Sequence, residues 1–383
     1  MEGSVCRRFL IVHPHIHNSF IRSELESLIG MFNTVCTVES TKIEKRGGTT
    51  VIFARSSLVD FLLDRAILIS KVVLLADSLE DLKEEIEKRY ADNRTYKVEV
   101  GSHIRKLPEG SKKIELEKLD SILESGTVRM SSPEVVVEIL ETEEKTHTGV
   151  LYGYSRRKEH LKYNLKKRMF LGTTSMDNEI SFLMSNIAQI DRKSVVLDCF
   201  SGTGSVLLPS ALLGAFVIGS DVNRRQFVGR DTYHKNPKIK TMAPGTDVYT
   251  NFKQFGVENK VLGFCTSDVF DGETLKPQTV DAVIFDPPYG GREGVQRGEN
   301  RGAVKTETED AYLQLAIPFV EEVLRKAEVY LKDGGRACFF VPHETDREPP
   351  VKTVINENFE EVSRSTQYLT SKYSRTLLLY RKK

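Results

Sequence analysis

Asp286, Pro287, Pro288 and Tyr289 follow DAVIF, an apolar run with the length and composition of a buried strand. An exocyclic amine on an aromatic base is a poor nucleophile, because its lone pair is delocalised into the ring. A site that alkylates such an amine must hold it toward the electrophile and favour charge building on nitrogen. The Asp286 carboxylate and the Pro287 carbonyl are two acceptors for the amine hydrogens, and together they would align the lone pair with an incoming methyl group. The successive prolines Pro287 and Pro288 fix the backbone so that a carbonyl unused by the sheet ladder points into the site. Tyr289 offers a flat face for a base that has been unstacked or flipped.

A second constellation lies upstream. Asp198-Cys199-Phe200-Ser201-Gly202-Thr203-Gly204 closes the apolar strand SVVLDCF and opens a helix. Gly202 and Gly204 permit a tight turn with close backbone approach to a ligand. The following strand, FVIGSDV, ends in Asp221, whose carboxylate can accept both hydroxyl hydrogens of a ribose. Ser205, Val206 and Leu207 follow Gly204, so the third glycine of a dinucleotide fold is missing. The pattern, with Asp198 and Phe200, looks instead like the loop that wraps the methionine part of S-adenosylmethionine. Asp268, after VLGFCTS, is placed either to accept from the adenine amino group, with Val269 or Phe270 against the ring, or to cap a strand end.

The elements that must position these groups alternate in a βαβ rhythm from about residue 190 onward. That rhythm predicts a parallel sheet with ligands at the carboxyl ends of its strands. It continues through VLGFCTSDV, DAVIFDPPY, a helix over 310–331 and the strand RACFFVP, and the final EVSRSTQYLTSKYSRTLLLYRKK reads as a hairpin at one side of the sheet. The expected fold class is therefore α/β, and the pattern over 190–383 resembles the Rossmann-like class I methyltransferase domain with its seven-stranded sheet. Before it, residues 1–75 and 76–160 read as two small α+β modules, and 161–189 as a basic linker that begins the catalytic domain.

A chain of 383 residues allows two or three such domains. Its 55 Lys and Arg against 54 Asp and Glu argue against a wholly basic nucleic-acid coat, but the charge is unevenly placed. The run RRKEHLKYNLKKR carries Arg156, Arg157, Lys158, Lys166, Lys167 and Arg168, which would serve either as phosphate contacts or as a solvated face. The same choice applies to the tail after Glu361, with Arg364, Lys372, Arg375, Arg381, Lys382 and Lys383. After the Asp-Pro-Pro-Tyr motif, GREGVQRGENRGAVKTETED reads either as a lid that orders with RNA, Arg292 making a contact, or as an insertion without structure of its own. Five singly placed cysteines support neither a disulfide framework nor a metal site. With no apolar run near the roughly 18 residues of a membrane span, and no secretory leader, a soluble cytoplasmic protein is expected.

FSGTGSVLLPSALLGAFVIGSDVN, FLGTTSMDNEISFLMSN, DPPYGGRE and the N-terminal FIRSELESL together resemble the catalytic subunit of the eukaryotic and archaeal tRNA (guanosine-10 N2) methyltransferases, which are THUMP-domain class I methyltransferases. The resemblance spans nearly the whole chain and is strongest from about Phe170 to Arg292. It implies a ferredoxin-like domain at 1–75, a THUMP RNA-binding domain at 76–160, S-adenosylmethionine as cofactor and transfer to the N2 amine of guanine in tRNA. By the same resemblance, Thr173 and Met176 would line the cofactor pocket from outside the main sheet, and a small zinc-binding activator protein would complete a heterodimer. The strand at 261–266 should lie at a sheet edge, where a partner could add a strand. Leu262 and Phe264 share one face there, for the partner or for ordinary core packing.

Two other functions share these residues. The same motif serves amines on other bases, such as guanine in ribosomal RNA or adenine, and the RNA-binding modules favour tRNA over DNA. A decayed fold that only binds RNA is disfavoured by an intact set of Asp198, Gly202, Gly204, Asp221 and Asp286. Glutamine-methylating enzymes usually carry Asn where Asp286 stands.

Overall fold

A computed structural model describes residues 5–32, 34–44, 47–89, 95–108, 117, 119, 122–123, 126–172, 175–228, 246–269, 275–288, 295–297, 301–304, 321–345 and 357–383. The chain divides into two compact units, Met1–Glu159 and His160–Lys383.

The first unit is built on strands β1 (Cys6–His13), β2 (Cys36–Glu44), β3 (Gly47–Arg55), β4 (Lys71–Leu75), β5 (Thr95–Ser102), β6 (Thr127–Val128), β7 (Val135–Glu141) and β8 (Thr146–Tyr154). They form one eight-stranded sheet in the order β2-β3-β1-β4-β8-β7-β5-β6. The sheet is continuous across residue 75, because β4 pairs antiparallel with β8, Leu75 opposite Gly149. Gly149 is required there, since a Cβ would stand 2.1 Å from the carbonyl oxygen of Leu74. Separate apolar clusters pack on this one sheet, two of them with helices. Helices Ile21–Phe32 and Ser56–Arg65 supply Leu25, Leu28, Leu58 and Leu62 to the first. Leu82 and Ile86 of helix Leu79–Arg89 join Val135, Val137 and Ile139 in the second. Within FIRSELESL, Glu24 is 2 % exposed, and its carboxylate accepts the backbone N–H groups of Ile67 and Leu68 at 2.9 and 2.8 Å. A buried carboxylate survives because a chain turn without ladder partners donates to both of its oxygens.

The second unit contains β9 (Val195–Asp198), β10 (Phe216–Asp221), β11 (Val261–Thr266), β12 (Val280–Phe285), β13 (Val295–Arg297), β14 (Arg301–Val304), β15 (Leu331–Glu344), β16 (Phe359–Tyr368) and β17 (Tyr373–Lys382). Seven of them form a sheet in the order β11-β10-β9-β12-β15-β17-β16. β11, β10, β9, β12 and β15 run parallel, and β17 is inserted antiparallel between β15 and its hairpin partner β16. The short apolar runs of β9 and β12 are buried on both faces, as central parallel strands must be. Three rings lock the middle of the sheet: Phe285 stacks on Phe339 at 5.0 Å and Phe339 on Tyr380 at 5.9 Å, across β12, β15 and β17. Such pairs contribute about 0.5–1.5 kcal/mol each beyond their buried area. Helix Asn178–Ile187 is capped by Asp177, which accepts the N–H groups of Glu179 and Ile180, and it packs against β15. Of the helix expected over 310–331, the described part covers 321–330, and Leu331 already begins β15. Among the described residues no helix is long and apolar enough to cross a membrane.

Candidate active site

The parallel strands bring their carboxyl ends to one rim, where the topology of an open α/β sheet places ligands. Asp198 ends β9, Asp221 ends β10, Asp268 follows β11 and Asp286 follows β12. Between β9 and the helix Leu207–Leu212, the chain turns through Gly202 at φ 48° and Gly204 at φ 74°. A side chain at Gly204 would be strained by that φ, and its Cβ would press to 3.1 Å from the Phe252 ring and 3.3 Å from Val248. The loop is held from β10: Asp221 Oδ2 accepts from the Gly202 N–H at 3.0 Å, while Oδ1 accepts from Asn223 N–H at 2.8 Å. Asp221 therefore organises the turn, one oxygen toward the glycine loop and the other toward the backbone that follows β10.

Asp198 is 1 % exposed, and one oxygen accepts the Phe200 N–H at 2.9 Å. Burial first, and then the nearby charges of Asp221 and Asp286, hold its carboxyl well above the usual carboxylate range against the opposing Phe200 hydrogen bond. Phe200 anchors the loop with its ring 5.5 Å from that of Phe285. Val269 is 5 % exposed and belongs to the core cluster with Leu197, Ile218 and Val283, so its side chain is committed to packing, whereas Asp268 is half-buried at the rim. Phe270 lies outside the described residues.

The segment before the sheet closes over the glycine turn. Arg168 donates to the Tyr163 carbonyl at 3.1 Å, Ser205 Oγ at 3.0 Å and Asn178 Oδ1 at 3.1 Å. It is 6 % exposed, and burial lowers its guanidinium to about 10. This corrects the expectation of a phosphate contact at Arg168, because the guanidinium is spent inside the fold. Asn251 accepts from the Phe170 N–H at 3.0 Å and donates to the Phe170 carbonyl at 2.6 Å, pairing the segment with helix Val248–Gln254. Ser175 Oγ lies 3.1 Å from Thr203 Oγ1, which brings this segment against the turn itself. Met176 is buried, and Thr173 lies outside the described residues.

Asp286 and Pro287 emerge from β12 with Pro287 buried and Asp286 and Pro288 half-buried. One residue essential to this arrangement escaped the sequence reading. Arg375, on β17, donates from Nη1 to Asp286 Oδ2 at 2.9 Å, from Nε to Gln367 Oε1 at 2.8 Å and from Nη2 to Met176 Sδ at 3.3 Å. Its guanidinium lies 4.0 Å from the centre of the Phe340 ring. Counting Arg375 with a basic tail was therefore an error, caused by reading a strand as a run of charges. The rest of that tail is largely neutralised in place: Arg364 pairs with Glu361 and Arg381 with Glu360, each at 2.6 Å, and Lys382 donates to the carbonyls of Glu328 and Leu331. Tyr289 and Arg292 lie outside the described residues; later in the chain, β13 and β14 pair as a two-stranded ribbon.

In the upstream basic run, Lys158, Lys166 and Lys167 are exposed and Arg157 half-buried, while Arg156 pairs with Asp64 at 2.7 Å. At the sheet edge, Leu262 is 58 % exposed. Phe264 is instead taken up by its own unit, among Phe227, Tyr249 and Phe252 at 5.4, 5.4 and 5.8 Å, and the ladder to β10 is irregular at Leu262. Of the two readings of that pair, core packing holds for Phe264.

Comparison with known proteins agrees with this geometry. Residues 166–301 match the family model of the RMKL-like methyltransferase domain. The tRNA (guanine(10)-N(2))-methyltransferase of Saccharomyces cerevisiae is 25 % identical over 98 % of this chain and 93 % of its own length. The Homo sapiens protein of the same name, TRMT11, is 28 % identical over 75 % of this chain and 67 % of its own. Among solved structures, a possible methylase from Clostridium difficile 630 shares the fold with a TM-score of 0.50 at 11 % identity, over 99 % of this chain and 98 % of that one. Residues 166–301 thus match a methyltransferase domain model, and the chain is similar over nearly its whole length to a curated tRNA (guanine(10)-N(2))-methyltransferase.

Proposed function

We propose that this protein methylates the exocyclic N2 amine of guanosine 10 in tRNA, with S-adenosylmethionine as methyl donor. The observation that carries the reading is the fixed Asp286-Pro287 pair on the rim that also holds the glycine turn and Asp221, in a chain homologous over nearly its whole length to enzymes named for that reaction.

The donor set fits the cofactor. A rim with Asp198, Asp221 and Asp286 in mutual repulsion calls for a cation, and S-adenosylmethionine brings both an ammonium and a sulfonium. When bound, it supplies an electrophilic methyl carbon and departs as a neutral thioether. Gly202 and Gly204 let the backbone close on the methionine part, Asp221 accepts from the ribose hydroxyls, and Asp268 faces the adenine. Thr173 and Met176 belong to the segment that covers the turn. The Asp286 carboxylate and the Pro287 carbonyl accept the two hydrogens of the amine, so that its lone pair faces the methyl group as the carbon–nitrogen bond forms. The methylated nitrogen, cationic and strongly acidic, then releases one proton to solvent. Pro288 stiffens the turn, and Tyr289 stacks the extruded base. Most of the acceleration comes from orientation and from acceptors placed where positive charge develops.

The first unit, as ferredoxin-like (1–75) and THUMP (76–160) modules, holds the tRNA. Arg156, Arg157, Lys158, Lys166 and Lys167 supply phosphate contacts, with Arg292 closer to the base. A small zinc-binding activator joins at the edge strand β11, where Leu262 is exposed, to make a cytoplasmic heterodimer. The test is transfer from labelled S-adenosylmethionine to an unmodified tRNA transcript, with and without the activator. Asp286→Ala should lose transfer while retaining cofactor affinity. Transfer by the variant at the wild-type rate would remove Asp286 from the chemistry.

A further inference from the structure

Asp286 does not stand alone at the mouth of the site. We propose that Arg375 is a positioning residue for the methyl transfer: its guanidinium anchors Oδ2 of Asp286 and so restrains the carboxylate that receives the amine. The inference rests on the reading of Asp286 as the amine acceptor.

The clamp is itself built. Arg375 is 8 % exposed, and its three nitrogens are directed by different elements: Gln367 on β16, Met176 before the helix Asn178–Ile187, and Asp286 after β12. Phe340 on β15 lies under the guanidinium plane at 4.0 Å. A fork held on one face by a ring and at both ends by partners cannot follow the carboxylate if it rotates, so the carboxylate must follow the fork. The role is orientation and charge compensation. A carboxylate already engaged by a guanidinium is a weak proton acceptor, so Asp286 acts as an aligned hydrogen-bond acceptor and the amine proton leaves by another route.

The charged groups around Asp286 can be named element by element among the described residues. Arg375 comes from β17, Asp198 from the end of β9 and, coupled through it, Asp221 from the end of β10. Beside Arg375, β15 offers the uncharged Pro342 and Phe340, and β16 offers Gln367. The buried His343 of β15 is held by Thr376 and by the Glu344 carbonyl. Arg375 is thus a cation set directly against Asp286 on a rim that also carries Asp198 and Asp221.

Two measurements test this in the full-length chain. The first needs no substrate. Thermal unfolding of wild type, R375Q, D286N and the double variant is followed at neutral pH. R375Q and D286N should each lower Tm, and the double variant should lose clearly less than the sum of the two. Additive losses would overturn the clamp. The second is single-turnover transfer with R375Q and R375K. R375Q should lower the rate constant about 100-fold, the scale of a small misplacement of a reacting group, with cofactor and tRNA affinities unchanged. The acid limb of its pH–rate profile should move upward. R375K, which keeps the charge but not the fork, should restore the limb and only part of the rate. A wild-type rate and limb in R375Q would sink the positioning role, whereas wild-type inactivity on every RNA offered would count against the proposed substrate, leaving the thermal cycle to decide the clamp.

Discussion

Replacing Asp198 by Asn should stabilise the cofactor-free protein at neutral pH and at the same time weaken its hold on S-adenosylmethionine. Asp198 is buried, and burial together with Asp221 and Asp286 holds its carboxyl well above the ordinary range. Between the unfolded and folded values the native state therefore carries the extra proton, so stability falls as pH rises through that window and levels off above the folded value. Asn does not titrate. Its side-chain carbonyl can still accept the Phe200 N–H that Asp198 accepts at 2.9 Å, and its amide adds a pH-independent offset. The stability difference, variant minus wild type, should then climb with pH by up to about 1.4 kcal/mol per unit, the linkage slope for one proton. For a unit of this size that is a relative rise in Tm of roughly 3–5 °C per pH unit. Calorimetric unfolding of both chains from acidic to alkaline pH reads the slope and locates the window. The same linkage requires that cofactor binding release a proton from the wild type, so its affinity should strengthen by up to about tenfold per pH unit while that of the variant stays flat. Parallel stability curves for the two proteins would refute the assignment of a strained, cation-seeking carboxylate at Asp198.

Gly204→Ala should raise the Kd for S-adenosylmethionine at least tenfold and lower Tm, because the left-handed φ alone costs about 1–2 kcal/mol and the new methyl meets Phe252; isothermal titration checks it, and unaltered binding counts against the turn as cofactor loop. Leu262→Glu should leave Tm untouched yet abolish co-purification with the activator, whereas Phe264→Ala should destabilise the unit by about 1–3 kcal/mol through its lost aromatic packing. Lys166→Glu with Lys167→Glu should weaken tRNA binding and reduce the slope of log affinity against log salt by roughly one per lost phosphate contact; an unchanged slope would return these lysines to a merely solvated face.

The catalytic sheet was legible because its signals are local. Strand ends bearing Asp198, Asp221 and Asp286 announce themselves through apolar runs that stop at a carboxylate, and the parallel order follows from the crossover rules. The hairpin at the end of the chain was visible for the same reason, as two β-rich runs around a short turn. Arg375 was not legible, since its meaning depends on a partner 89 residues away, and within the sequence it is one more cation in a basic tail. Arg168 misled in the same manner: charge counting treats every arginine in RRKEHLKYNLKKR alike, whereas burial separates it from Lys166 and Lys167. The continuous sheet of the first unit also lies beyond local reading, because the β4–β8 ladder joins segments whose pairing no periodicity reveals.

The central claim is that a particular amine, N2 of guanosine 10, is brought to Asp286. Two transcripts of one tRNA, identical except that one carries adenosine in place of that guanosine, should be incubated with the protein, its activator and S-adenosylmethionine, then digested and resolved by mass spectrometry. N2-methylguanosine in the first, at that position alone, and none in the second is the result the account predicts. Equal methylation of both transcripts, or a methyl on another base or atom, would contradict it.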